Sequence, residues 1–247
     1  MYKRILLKLS GEALKEDHGE VIFSEANFLD MAKVIANLHK NGTQIGIVIG
    51  GGNIWRGKLA ETLSLERVPA DFMGMLGTVI NCVSMSSALR GMGVPATVYS
   101  ALGDLPDGVA RMYDREAAIK SMENGEVVFF AGGTGRPYFS TDTAAAMRAL
   151  ETECEAILMA KHGVEGIYDK DPLKYPDAKF FKNISYQDVL DLKLGVMDLS
   201  AVELIKDTDL QIRVFSMKDA ENVIRVCNGE DIGTTVRRLT INQSREK

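Results

Sequence analysis

The residues of this chain that can do chemistry gather at three glycine turns, each at the carboxyl end of an apolar β-type run. Ile5-Leu6-Leu7-Lys8-Leu9 runs into Ser10-Gly11, and Ile45-Gly46-Ile47-Val48-Ile49 runs into Gly50-Gly51-Gly52-Asn53. Val127-Val128-Phe129-Phe130 runs into Ala131-Gly132-Gly133-Thr134-Gly135. Glycine admits positive φ and lets bare N–H groups come close to a ligand. Successive N–H groups turned one way form an anion nest, and open α/β sheets bind ligands at this edge. Repeated glycine exits therefore predict a polyphosphate lying across a sheet edge. A lysine amid an apolar strand needs a reason, and Lys8 beside Gly11 can follow negative charge onto a transferring group. Arg56 can fork onto phosphate oxygens. Asp142 reads either as a helix N-cap or as a carboxylate that orients Lys8 or Mg²⁺.

Two motif matches fail on chemistry. Gly52 to Leu59 has nearly the P-loop spacing, but Leu59 stands where a hydroxyl must hold Mg²⁺ and no convincing helix is expected after it. Gly91-Met92-Gly93-Val94-Pro95-Ala96 has the dinucleotide-binding spacing, but it precedes a strand and Pro95 spoils a helix start. A phosphate site must then be built from separate strand ends.

The elements that would position these residues are legible. β-type runs fall at 4–9, 44–49, 96–100, 126–130, 156–161, 211–215 and 235–241. Between most of them lie helical patterns. Ser24 caps a helix with Phe28, Met31, Ile35 and Leu38 on one face, ending at Asn41-Gly42. A second helix covers 70–90 and stops at Gly91, Asp114 caps a third that ends at Asn124-Gly125, and Thr141 and Asp142 open one that reaches Cys154. Asp219 begins a short one ending at Asn228-Gly229. Strand alternating with helix implies an α/β fold, a mostly parallel sheet with helices on both faces. The charged, proline-punctuated stretch 169–176 reads equally well as a solvated connection or a nucleotide-contacting loop.

With 247 residues, 46% of them hydrophobic, the chain can bury a substantial core. The net charge of -5 comes with no basic stripe, which argues against nucleic acid as the main partner. Cys82, Cys154 and Cys227 are scattered and odd in number, so they predict buried thiols rather than disulfides or zinc. The methionines at 73, 75, 85 and 92 read as core or interface filling. Lys3-Arg4 superficially suits a signal peptide, but Lys8 interrupts the apolar stretch, and no apolar run approaches roughly 18 residues. The expectation is a cytoplasmic protein without a membrane partner.

The opening Tyr2-Lys3-Arg4-Ile5-Leu6-Leu7-Lys8-Leu9-Ser10-Gly11-Glu12 closely resembles that of bacterial uridylate (UMP) kinases, members of the amino-acid-kinase superfamily. The resemblance continues through Gly50-Gly51-Gly52-Asn53-Ile54-Trp55-Arg56-Gly57, Asp71-Phe72-Met73-Gly74, the segment 133–142, Ile157-Leu158-Met159-Ala160-Lys161, and Gly166-Ile167-Tyr168-Asp169-Lys170-Asp171-Pro172. It covers nearly the whole chain in order. It implies a three-layer α/β/α sandwich forming one domain over 1–247, with UMP bound by about 1–155 and ATP by about 156–247. The implied reaction is ATP + UMP giving ADP + UDP, with Mg²⁺ carried mainly by the ATP phosphates and no dedicated metal ligands. Carried over by position, Lys8, Leu9, Ser10 and Gly11 would line the ATP phosphates, Gly52 and Arg56 would serve the phosphate junction, and His162, Tyr168 and Asp171 would lie at the ATP nucleoside. Gly51 and Asp71 would contact UMP, which Thr134, Gly135, Arg136, Pro137, Tyr138, Phe139, Ser140 and Thr141 would wrap. Lys8, Arg56 and Asp142 would be catalytic.

The resemblance also implies a homohexamer, for which the apolar stretch 72–83 is an interface candidate, and inhibition by UTP at the acceptor site. One departure concerns GTP. Many relatives carry an uncharged glycine- and phenylalanine-bearing loop associated with GTP activation, whereas the stretch 15–23 here contains Glu16, Asp17 and Glu20. This predicts a weak response to GTP. The competing readings are a superfamily relative acting on carbamate or an amino-acid carboxylate, and a nucleotide sensor without turnover. The first leaves Asp71 and the 134–141 segment without a purpose, and the second leaves Lys8, Arg56 and Asp142 without one.

Overall fold

The apolar runs with little polar alternation become strands buried on both faces, as parallel sheets require. The computed structural model describes residues 1–15, 21–106, 108–161, 163–217 and 221–238. In chain order the strands are β1 (Arg4–Leu9), β2 (Gln44–Ile49), β3 (Ala96–Ser100), β4 (Arg111–Met112), β5 (Val127–Ala131) and β6 (Ala156–Lys161). They continue with β7 (Ile167–Tyr168), β8 (Phe180–Phe181), β9 (Asn183–Ser185), β10 (Gln211–Ser216) and β11 (Thr234–Arg237). The helices are α1 (Glu25–Lys40), α2 (Gly57–Thr62), α3 (Arg67–Gly91), α4 (Arg115–Glu123), α5 (Thr141–Glu151), α6 (Tyr186–Asp191), α7 (Leu199–Ile205) and α8 (Asn222–Cys227).

One sheet runs β4-β3-β5-β2-β1-β6-β10-β11-β9, and β7-β8 form a separate hairpin. Within the nine-stranded sheet all neighbours pair in parallel except β10 and β11. Strands from both sides of residue 155 therefore belong to one sheet, with β1 and β6 in register at Lys8 and Met159. Side chains alternate across β1. Ile5, Leu7 and Leu9 pack in a core with α1, α3 and α8, whereas Leu6 packs in the opposite core with α4, α5, α6 and α7. That is the expected α/β/α sandwich.

Several boundaries moved for identifiable reasons. The predicted 126–130 strand is shifted by one residue, because Ala131 still pairs with Ser100. The helix expected from Ala70 starts at Arg67, since Pro69 falls in its first turn, where no N–H is needed. Ser140, rather than Thr141 or Asp142, caps α5 by accepting from the Thr143 N–H, so the Asp142 carboxylate in the first turn is not spent on the cap. A short helix does follow the P-loop-like segment, contrary to expectation, although Leu59 within it remains the wrong residue for a metal. The last expected strand is β11, but it ends earlier, and 239–241 lie outside the described residues. Asp219 and the acidic stretch 16–20 also lie outside them.

All three cysteines are buried and free. Burial pushes the Cys82 and Cys154 thiols up to about 12. Met75 and Met85 are buried, whereas Met73 and Met92 are exposed. α3 is long and apolar enough by composition to cross a membrane, contrary to the expectation that no run approached that length. Half of its apolar window is buried in the protein, and Val79, Cys82, Met85 and Leu89 join the core. Its other face exposes Phe72, Met73, Leu76 and Ile80.

Arg4 holds the far end of the sheet. Its guanidinium donates to Gln44 Oε1 at 2.6 Å, to the Thr152 carbonyl at 2.8 Å and to Glu123 Oε1 at 3.1 Å, from a side chain only 10% exposed. Hydrogen bonds to a charged group contribute roughly 1.5–3 kcal/mol, and unpaired buried acceptors cost more than paired ones. We expect Arg4→Met to lower unfolding stability by about 2–3 kcal/mol in urea melts, with little change in the denaturant slope.

Candidate active site

The three glycine turns become neighbours because β5, β2 and β1 are adjacent and parallel. Only the third uses positive φ, at Gly132, Gly133 and Gly135. In the first two turns, Gly11 and Gly51 are glycine for lack of space. A Cβ on Gly11 would meet Asn53 Oδ1 and the Gly50 carbonyl oxygen. One on Gly51 would stand 2.5 Å from the Gly74 carbonyl oxygen and 3.2 Å from the Thr78 nitrogen of α3. Close backbone packing, rather than left-handed conformation, is what these positions require.

Strand parity places the cations. Lys8 shares its face with Leu6, toward α5, and its Nζ lies 2.8 Å from Asp142 Oδ1 in the first turn of that helix. Both side chains are largely buried, at 19% and 17% exposure. The contact is an ion pair without a well-aligned hydrogen bond, since buried Oδ1 has no such donor, while Oδ2 accepts from the Asp198 N–H at 3.1 Å. Lys161, two residues beyond the Lys8 partner Met159, lies on the same face and donates to the Gly195 carbonyl at 2.8 Å. Burial lowers the Lys161 pKa below 10.5, Lys8 lowers it further, and Asp142 opposes both. Lys161 was missed as a site residue. The available signal was parity, because Ile157, Met159 and Lys161 repeat the alternation of Leu6 and Lys8.

Of the other expected donor-side residues, Leu9 is buried in the core and offers a ligand only its backbone. Ser10 caps the turn after β1 by accepting from the Glu12 N–H at 3.2 Å. Arg56 makes a 2.5 Å ion pair with Glu12 and donates to the Gly52 carbonyl at 3.2 Å, so its guanidinium overhangs the second turn. Tyr168 packs edge-on against Phe180 in the β7-β8 hairpin. Asp171 caps the following loop through the Leu173 N–H at 3.0 Å. That hairpin is anchored where the Ile167 N–H donates to Thr234 Oγ1 at 2.9 Å. His162 lies outside the described residues.

A cleft of about 310 Å³ opens between the second and third turns, lined by Gly51, Gly52, Asp71, Phe139, Ser140 and Thr141 among the expected residues. Thr134, Gly135, Arg136, Pro137 and Tyr138 do not line it. Their segment instead closes one rim. Thr134 Oγ1 accepts from the Arg136 N–H at 3.1 Å, and Asp71 Oδ2 accepts from the Tyr138 N–H at 2.7 Å. Tyr138 has φ +71, unusual for an aromatic residue and maintained by this latch. Arg67, which also lines the cleft, holds Asp71 with paired bonds of 2.8 and 2.9 Å and lies over the Tyr138 ring. Its role was not legible because the helix was expected to begin after it. No group of three His, Cys, Asp or Glu side chains suited to a metal lies among the described residues. The Asp142 carboxylate has hard oxygens of the kind Mg²⁺ takes, but Oδ1 faces Lys8 Nζ and Oδ2 accepts from the Asp198 N–H.

Residues 3–216 match the model of the amino acid kinase family. The chain belongs to this family. Curated family relatives include a uridylate kinase of Mycoplasma capricolum, 49% identical over 91% of this chain and 94% of that protein. Another, from Pediococcus pentosaceus, is 45% identical over 96% and 97%. Among solved structures, the UMP kinase of Bacillus anthracis superposes with a TM-score of 0.92 at 37% identity, covering 97% of both chains. That of Ureaplasma parvum gives 0.89 at 36%, covering 96% of this chain and 100% of the other.

The Lys161 environment gives a signed expectation for this family member. In protein without added nucleotide, the Lys161 amine titrates below the ordinary lysine value. Lys8→Met, which removes a like charge, moves its midpoint up, and Asp142→Asn, which removes an opposite charge, moves it further down. Titration of ¹³C-methylated lysines by NMR checks both directions.

Proposed function

We propose that the protein transfers the γ-phosphoryl group of ATP to UMP, giving ADP and UDP, a step of pyrimidine nucleotide synthesis. The observation that carries this reading is the Lys8–Asp142–Lys161 cluster at the ends of β1 and β6, in a chain with 36–49% identity to proteins named uridylate or UMP kinases. An oxygen of the UMP phosphate attacks the γ-phosphorus, and the bond to the β–γ bridging oxygen breaks as ADP leaves. Such a transfer needs alignment and charge neutralisation rather than a covalent intermediate.

The residues divide accordingly. The N–H groups after β1, at Ser10 and Gly11, cradle the ATP phosphates, while Lys8 and Lys161 bear on the transferring group from one face of the sheet. Asp142 tethers Lys8 in register. Arg56 exchanges Glu12 for phosphate oxygens at the junction, over Gly52. The acceptor occupies the cleft, where Gly51 and Asp71 contact UMP and the segment from Thr134 to Thr141 encloses it. Tyr168 and Asp171 serve the adenosine side, in keeping with a division of one domain into a UMP-binding part over about 1–155 and an ATP-binding part over about 156–247. Mg²⁺ carried on the ATP phosphates would neutralise charge there, while Asp142 Oδ1 stays with Lys8. We further propose a cytoplasmic homohexamer that uses the exposed face of α3, inhibition by UTP at the acceptor site, and a weak response to GTP.

Two measurements test the reading. In an ADP-release assay across nucleoside monophosphates, UMP turns over and CMP is poorer by roughly 10⁴-fold in kcat/KM, because a site built for one base edge leaves buried groups unpaired with another. Comparable turnover of both sinks the base-specific reading, and turnover of carbamate alone would move the enzyme elsewhere in the family. Lys8→Ala lowers kcat by roughly 10²–10³-fold with a smaller change in KM, as expected for a group that stabilises developing charge. Unfolding or unchanged turnover would return Lys8 to a structural role.

A further inference from the structure

α3 carries polar atoms that no feature of the sequence reading used. Asn81 lies in its middle, fully buried. Its Nδ2 donates to the Gly50 carbonyl oxygen at 2.7 Å and to Asn53 Oδ1 at 2.8 Å. Its Oδ1 accepts from Asn53 Nδ2 at 3.1 Å, and that same Nδ2 reaches the Ile22 carbonyl at 2.9 Å. The two amides thus hold each other face to face across the second glycine turn. The two oxygens that Asn81 fixes, Gly50 O and Asn53 Oδ1, are the same two that a Cβ on Gly11 would strike. One side-chain nitrogen therefore holds the surface against which the first turn packs. One helical turn earlier, Thr78 accepts from the Gly132 N–H of the third turn at 2.8 Å and donates to the Met75 carbonyl at 2.6 Å. Gly74 and Gly77 of the same face pack against Gly51.

We propose that Asn81 is a positioning residue that sets the distance between the ATP-side turn at Gly11 and the acceptor-side turn at Gly50 to Gly52, with Asn53 as its partner. The inference rests on the proposed phosphoryl transfer. A buried asparagine in a helix interior has a cost that a core leucine does not, because every polar atom must be matched. Here the match is made to the second turn, through the Gly50 carbonyl and the Asn53 side chain, and not to α3 itself. Each turn keeps its own N–H groups without Asn81, so each nucleotide still finds its subsite. What changes is their separation, and misplacement of reacting groups by about 1 Å costs on the order of 10²-fold in rate.

The signature is a split between kcat and KM. Asn81→Asp keeps the acceptor for Asn53 Nδ2 but turns oxygens toward Gly50 O and Asn53 Oδ1, which repels both. We expect kcat per folded molecule to fall about 10²-fold, with KM for ATP and UMP each within about threefold of wild type. Asn53→Asp turns an oxygen toward Asn81 Oδ1 and the Ile22 carbonyl, but it keeps the acceptor for Asn81 Nδ2, leaves the bond to Gly50 in place, and should lose less than tenfold. Asn53→Leu, at a partly exposed turn, removes the partner without burying a charge and serves if the Asn81 variant fails to fold. It should lose more kcat than Asn53→Asp. Folded fraction comes from circular dichroism at the assay temperature, and UDP formation by wild type is the control for the functional reading itself. If wild type is active and a folded Asn81→Asp protein keeps its kcat, or loses only KM, the positioning role is overturned while the transfer reading stands. If Asn81→Asp fails to fold, equal kcat in Asn53→Leu and Asn53→Asp overturns it. A wild type that makes no UDP overturns the transfer reading and this inference with it.

Discussion

The site depends on backbone packed against backbone with no room for a side chain between. Gly11 faces the Gly50 carbonyl, and Gly51 faces Gly74 and Thr78 of α3. These contacts bring β1, β2 and α3 together at the carboxyl edge of the sheet, closer than any larger residue allows. Everything that handles charge is set from there. Lys8 is the last residue but one of β1, Arg56 leaves the second turn toward Glu12, and Asp142 starts the helix that packs on the far face. A side chain at Gly11 or Gly51 would separate these groups before it touched any ligand.

α3 serves two purposes on two faces. Gly74, Gly77, Thr78 and Asn81 share helical spacing and meet the glycine turns, small where the backbone approaches and polar where it needs partners. Phe72, Met73, Leu76 and Ile80 are apolar and exposed on the helix. Its length follows from having to cross both jobs. A helix that spaces the turns must be stiff, and burial of its other apolar residues against the core supplies that stiffness. An assembly that covered the exposed stripe would brace the same helix from behind.

Strands of five or more residues were legible almost to the residue, because burial on both faces leaves continuous apolar runs with clear turn punctuation. β4, β7, β8 and β9 have two or three residues each, too few for any period, and β11 runs against its neighbour for reasons of connection that composition does not carry. α6 and α7 are held by tertiary packing of Tyr186, Val189, Val202 and Ile205 rather than by their own propensity. The glycine turns were found for a reason that proved half right, since sequence distinguishes poorly between glycine that bends and glycine that yields space. Lys8 stood out because it interrupts an apolar strand. Lys161 did not, because it ends one, where a lysine is ordinarily solvated. Arg67 and Asn81 act across the fold, one through Asp71 and the other through Gly50, and neither partner is near in sequence.

The balance of charge explains how an acidic chain handles anionic ligands. Each cation at the edge has a protein partner: Asp142 for Lys8, Glu12 for Arg56, the Gly195 carbonyl for Lys161. Unpaired, two buried ammonium groups on one face would repel, and burial would drive one of them toward neutrality. Lys161 already leans that way, with Asp142 resisting. The partners aim the cations, but Lys8 and Lys161 are each held by a single contact, one of which is not even a well-aligned hydrogen bond. A polyphosphate offers more oxygens and more charge than any of them. The same carboxylates that stabilise the site also spare the chain a broad basic surface, so attraction is confined to the few ångströms where the turns can align what they bind.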